Sequence, residues 1–251
     1  LKRLNAAKWY LLIGVIAYGV FLLVNFPVSV AINGLQKIAP NLPVEISQPD
    51  GSIWNGQATI TQPILGPTHI QWSLHIASLL TGSIALDLQA KSTKANIKTE
   101  IDLSQSNIVI SNTKGSIYPS LINPLIHAQN AKMQGDITID QLNAEISFDP
   151  IAAKNSQGQI VWQGGDVKYK NGRNQKTATL PIIIGRVSDN EGQLTMTLHE
   201  EDGTQIASAF VKPDGWAGAK IKRRLVDLVG EKIPGSSAPD TDIFELSEKI
   251  F

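Results

Sequence analysis

The chain has 251 residues and carries 22 Lys and Arg against 22 Asp and Glu, so its formal charge is zero. That balance gives no sign of a nucleic-acid partner. The absence of cysteine excludes disulfide staples, a thiol nucleophile and thiolate-bound zinc or iron–sulfur groups.

Lys2, Arg3 and Lys8 precede an uncharged apolar run over residues 9–24. As a helix, that run and the milder stretch to Ala31 match a hydrocarbon core of about 30 Å. Its ten or so Leu, Ile, Val and Phe residues each favour insertion by roughly 0.3–0.6 kcal/mol. The expectation is a cytoplasmic basic stub (residues 1–8) and a single transmembrane anchor (residues 9–31). Trp9, Leu12, Ile16, Phe21 and Val24 are its membrane-facing residues, with Trp9 and Tyr10 at the interface. Two rival readings are a secretory signal cleaved at Ser29-Val30-Ala31 and a buried core helix. Against the first, the run exceeds the roughly 7–15 residues of a signal's apolar region. No second apolar stretch approaches membrane length, so the expected topology is single-pass.

Val28, Ala31, Ile32, Leu35 and Ile38 keep helical spacing, either as a continuation of the anchor or as an amphipathic helix on the membrane surface. Pro40 and Pro43 end it. From Val44 the period becomes two. Ile70, Trp72, Leu74 and Ile76 alternate with His69, Gln71, Ser73 and His75, and Ile84, Leu86 and Leu88 alternate with Ser83, Asp87 and Gln89. Leu194, Met196 and Leu198 do the same later in the chain. Asn171-Gly172, Asp202-Gly203 and Gly164-Gly165 supply turns. Roughly twelve strands of an antiparallel meander are expected over residues 32–230, one face apolar and one polar. Such a face must be covered by helices, a second sheet, a partner or lipid.

Gly-Ser-Ile recurs at residues 51, 82 and 115, either as a turn glycine used repeatedly or as a duplicated hairpin. Ile221, Leu225, Leu228 and Val229 share a helical face, with Gly230 as cap, which predicts a short C-terminal helix carrying Lys220, Lys222, Arg223 and Arg224. That basic set is either a solvated face or a contact for anionic lipid or an acidic partner. Residues 231–251 read as a mobile tail whose apolar end either docks or frays.

Signals of chemistry are weak. No phosphate-binding loop, nucleophile elbow or His-Glu-x-x-His is present. His69 and His75 lie roughly 20 Å apart along one strand, too far to share a metal. Glu200, Glu201 and Asp202 read as a solvated hairpin tip. No catalytic, cofactor-binding or metal residue is expected.

The anchor with Phe26-Pro27-Val28-Ser29, the Asp50-Gly51-Ser52-Ile53-Trp54-Asn55-Gly56 motif followed by Trp72-Ser73-Leu74, and Asp214-Gly215-Trp216 leading to Lys222-Arg223-Arg224-Leu225 occur in an order that resembles the type II secretion system protein N family. The resemblance covers roughly residues 1–235. It implies a single-pass bacterial inner-membrane protein, bulk periplasmic, that helps folded proteins cross the outer membrane. It implies other secretion subunits and inner-membrane lipid as partners and supplies no catalytic residues. Gly51, Trp54, Gly56, Trp72, Trp216, Arg223 and Arg224 are the candidate structural or interaction residues, with the glycines permitting tight turns and the tryptophans packing in the core. Trp216 would anchor the terminal helix on the sheet. The expected fold is mainly β: one transmembrane helix, an elongated antiparallel sheet domain and a short C-terminal helix. The expected role is a scaffold of the secretion machine. The alternative is a lipid-handling protein that shelters acyl chains on the apolar face.

Overall fold

The computed structural model describes residues 2–38, 44–127, 130–231 and 238–250. Two helices open it, α1 (Lys2–Val24) and α2 (Val28–Ile38). α1 stops where Asn25 donates both its backbone N–H (3.0 Å) and its side-chain Nδ2 (2.8 Å) to the Phe21 carbonyl. Pro27 then starts α2, its carbonyl accepting from Val30 and Ala31. Leu12, Ile16, Phe21 and Val24 are exposed. Among the described residues no helix is long and apolar enough to cross a membrane. The side chain of Trp9, and Pro40 and Pro43, fall outside the described residues.

The rest is β structure, as the period of two predicts. Thirteen strands form one antiparallel sheet in the order β1 (Glu45–Gly51), β2 (Asn55–Gln62), β3 (Gly66–His75), β4 (Ile84–Lys91), β5 (Ala95–Leu103), β6 (Asn107–Ile117), β8 (Ile137–Phe148), β9 (Ile151–Trp162), β12 (Ile183–Asn190), β13 (Gln193–His199), β14 (Gln205–Val211), β15 (Trp216–Lys222) and β16 (Asp242–Lys249). A second sheet has the order β11 (Asn174–Leu180), β10 (Gly165–Asn171), β7 (Lys132–Met133). Three short helices, α3 (Ile76–Leu79), α4 (Pro119–Ile126) and α5 (Arg223–Leu228), complete the described elements. The large sheet is open, with β1 at one edge and β16 at the other.

Register aligns the apolar face across the sheet. Ala58, Ile70, Ala90, Ile97, Gly115, Ile139, Ile160, Gly185, Leu198, Ala207, Ile221 and Phe244 stand opposite one another in turn from β2 to β16. At strand spacing this apolar lane is roughly 50 Å long. Beside it, Leu74, Leu86, Ile101, Ile110 and Ala144 make a parallel row. The opposite face carries His69, Gln71, Asp87, Lys98 and Glu100.

A line of bulges crosses the middle of the sheet. Asn112, Gln141 and Asn155 take positive φ (52°, 48° and 50°) on three neighbouring strands, β6, β8 and β9, with register shifts beside each. Asn112 donates its N–H to Asn143 Oδ1 at 2.8 Å, and Ser156 donates its N–H to the Asp189 carboxylate. Each bulge adds an unpaired residue and bends its strand, so side-chain amides and carboxylates take the freed backbone donors.

Only one end of the apolar face has a second layer. Hairpin β10–β11 leaves the sheet after β9 and returns as β12. With α5 it brings Leu180, Val167, Leu225, Leu228 and Val229 onto Trp162, Ile183, Leu198 and Ile206, and Ile206 is fully buried. Elsewhere the contacts of the large sheet run between neighbouring strands, with α2 on β1 and α3 on β4. The cover is therefore partial among the described residues, and half-exposed side chains dominate β4–β6.

The C-terminal region departs from the sequence reading. Ile221, Lys220 and Lys222 belong to β15, and α5 starts only at Arg223. Trp216 opens β15 opposite Lys249 and is 41% exposed, so it does not anchor the helix. Leu225, Leu228 and Val229 do that. Residues 242–249 of the expected tail dock as β16. Gly51, Gly82 and Gly115 occupy three different settings (the end of β1, the turn before β4, the interior of β6), so the Gly-Ser-Ile echo marks no duplicated unit.

Candidate functional site

Two ends of the sheet collect the residues singled out in the sequence. At the first, the turn between β1 and β2 is closed by Ser52. Its Oγ accepts from the N–H groups of Trp54 (3.2 Å) and Asn55 (3.1 Å), while its own N–H donates to the Asn55 carbonyl (2.9 Å). Gly51 has φ +89°, and a Cβ there would stand 2.5 Å from the Asn55 carbonyl oxygen. A Cβ on Gly56 would stand 2.5 Å from Cζ2 of Trp72. The Trp72 indole donates to the Ile53 carbonyl at 3.1 Å, and Trp54 is buried, its carbonyl accepting from the Leu74 N–H. The glycines are thus required by close approach, and both tryptophans lock the turn.

The same turn receives the helices. The Ile53 N–H donates to the Phe26 carbonyl at 3.1 Å, Pro27 bridges Ser52, and Val28 is buried. Phe26-Pro27-Val28 and the Gly51–Gly56 motif, read as separate signals, form one joint that fixes the α1–α2 corner to the first edge of the sheet.

At the other end the basic set meets acids from the terminal segment. Lys220 Nζ lies 3.3 Å from Glu245, Lys222 Nζ 3.6 Å from Asp242, and Arg224 Nη2 3.2 Å from Asp240. Arg223 Nε pairs with Asp227 at 3.6 Å. Of the two readings of this set, contact with an acidic surface is realised within the chain itself. Glu231, just beyond α5, accepts from the Tyr169 hydroxyl (2.8 Å) and from Lys176 (2.7 Å), tying α5 to hairpin β10–β11. Burial first, and then Glu231, push the Tyr169 hydroxyl above its ordinary range.

Sequence reasoning missed two devices. Ser92 and Ser104 close the β4–β5 and β5–β6 turns as Ser52 closes its own, each accepting from N–H groups two and three residues on. Ser at that spacing before a new strand was the available signal. Glu145 joins three strands, accepting from Asn107 and Asn155 at 2.8 Å each. Those two amides hold its carboxyl below the usual range.

Groups for chemistry stay apart. His75 pairs with Asp87 (3.1 Å) on the polar face. Asp202 caps its hairpin by accepting the Thr204 N–H at 2.8 Å. Thr204 thereby holds the Asp202 carboxyl low. Among the described residues no cluster of His, Cys, Asp or Glu could hold a metal.

A family model described as type II secretion system (T2SS), protein N, matches residues 43–222, which run to the last residue of β15. No curated protein and no solved structure matches the chain.

Proposed function

The chain belongs to the type II secretion system protein N family, and from that premise we propose that it is an inner-membrane-anchored, periplasmic scaffold of the secretion machine. Family membership supports the accessory secretion role and a place in the cell envelope. The membrane anchor rests on the basic residues before α1 and the exposed apolar side chains along it. The observation that carries the scaffold reading is the joint at Ser52, Ile53 and Phe26. It transmits the position of α1 to a large open sheet without a flexible hinge. The role is structural and the partners are other subunits of the machine.

In-cell photocrosslinking from Leu86 and Arg223 tests it. Adducts with secretion subunits are expected. Adducts with lipid alone, or release of the protein by alkaline carbonate, would overturn the scaffold or the anchor respectively.

The second reading is acyl-chain handling, and the lane from Ala58 to Phe244 is the observation that favours it. An apolar strip over twelve strands with partial cover suits hydrocarbon. Lipid should then copurify with the full chain and be lost in Leu86→Asp. A full chain free of lipid would end this reading.

A further inference from the structure

Strand β16 differs from the strands it joins. It lies beyond the matched residues, which end with β15. Of its eight residues only Ile243 is partly buried, while Phe244 and Leu246 are 59% and 76% exposed. Apolar burial therefore does little to hold it. What holds it is the backbone ladder on β15 and the three pairs of Lys220, Lys222 and Arg224 with Glu245, Asp242 and Asp240. Half-exposed pairs of this kind are screened by salt.

The two edges of the matched sheet are treated differently. β1 contains Pro49, has a bulge between Ser47 and Asp50, and packs against α2. These are the usual protections against added strands. β15 has no proline, and its register on β16 shifts only at the Ile221/Lys222 end. Its edge is built to be paired.

We propose that the outer edge of β15 is a strand-acceptor site for an extended acidic segment of another protein chain, with β16 as the exchangeable segment that occupies it beforehand. Charge complementarity defines the occupant. It carries carboxylates placed to meet Lys220, Lys222 and Arg224. It carries apolar side chains where Phe244 and Leu246 extend the lane, and it has no proline in the paired run. Backbone bonds supply the affinity and the carboxylates the register, as in other strand-addition complexes. The site does not depend on the scaffold reading, which bears only on which chain supplies the strand. A failed crosslink and a failed strand exchange are therefore separate results.

A fluorescent peptide of residues 238–250 is the probe, with anisotropy on the full chain as the readout. Two variants frame it. In D240N/D242N/E245Q the resident strand loses its ion pairs while the acceptor edge is untouched. In A217C/E248C, a pair directly opposite in register and in a chain without native cysteine, oxidation locks the strand in place. The peptide should bind the neutralised chain and the reduced A217C/E248C chain, and the oxidised form should take up none. A peptide with the same three neutralisations should bind roughly tenfold more weakly. Far-UV circular dichroism should be the same in every form. No binding to the neutralised chain, or equal binding to oxidised and reduced forms, would overturn the proposal. So would concentration-dependent dimers, abolished by the disulfide, in a chain that ignores the peptide, because the occupant would then be a second copy.

Discussion

Gly56 shows how little freedom single positions have at the helix–sheet joint. An added methyl would stand 2.5 Å from the Trp72 ring and 2.7 Å from the Ser52 carbonyl oxygen. The turn and the indole, itself bonded to the Ile53 carbonyl, cannot both stay. Gly56→Ala should cost about 1–3 kcal/mol, the range for overpacking. Urea denaturation checks it as a lower midpoint with unchanged slope, and an unaltered midpoint would show that the joint is loose. Glu145 acts at the same scale through charge. Its carboxyl is held low by Asn107 and Asn155, so its contribution is full above the unfolded value of about 4.3 and is lost as pH falls through the lower folded value. Glu145→Gln should lower stability at pH 7 and flatten the acid limb of a pH–stability profile between about pH 5 and pH 3. An acid limb as steep as the parent's would remove Glu145 from the account. The Gly51–Gly56 motif was legible in sequence because its reasons are local. The Asn107–Glu145–Asn155 bridge was not, because it joins residues 38 and 10 positions apart.

Among the elements, strands were easier to read than helices. Alternation marked β3, β4 and β13 almost to the residue, because one face of each is apolar and the other wet. The terminal helix was drawn too long. Ile221 falls at helical spacing from Leu225, yet in β15 it faces Ala207 and Phe244 and continues the lane. Tertiary pairing overrode a four-residue coincidence. What fixes α5 is its apolar face and then Glu231, which reaches Tyr169 and Lys176 on the hairpin. Because the folded Tyr169 hydroxyl titrates above its ordinary value, its contribution is full below about pH 10 and is lost as pH rises through the folded value. Glu231→Gln should bring the Tyr169 titration down toward the ordinary range and speed amide exchange in β10 and β11 without affecting β3–β5. Unchanged exchange in the hairpin would mean that apolar packing alone holds it.

At the scale of the whole molecule, the consequential feature is one that no single strand displays. Each strand announces an apolar face, but only register decides whether twelve faces line up, and register depends on turns and bulges spread over the chain. Ser-closed turns at Ser52, Ser92 and Ser104 and the bulge line at Asn112, Gln141 and Asn155 keep the count, so that Ile70, Ile97, Ile139 and Ile160 fall in one lane. The same arrangement makes stability uneven. Burial concentrates where the hairpin and α5 cover Trp162, Ile183 and Ile206, while Leu88 and Ile101 on β4 and β5 stay half exposed. Replacing such residues with a charge should therefore cost little of the fold while removing apolar surface from solvent contact. The chain should bind an apolar fluorescent dye at neutral pH in its folded state. Leu88→Asp with Ile101→Asp should dim that fluorescence with circular dichroism and the urea midpoint nearly unchanged. Ile206→Asp, beneath the second layer, should unfold the covered end instead. If the double variant unfolded as readily as Ile206→Asp, the face over β4 and β5 would have to be packed against something, and the sheet would no longer be an open apolar surface offered to partners or to lipid.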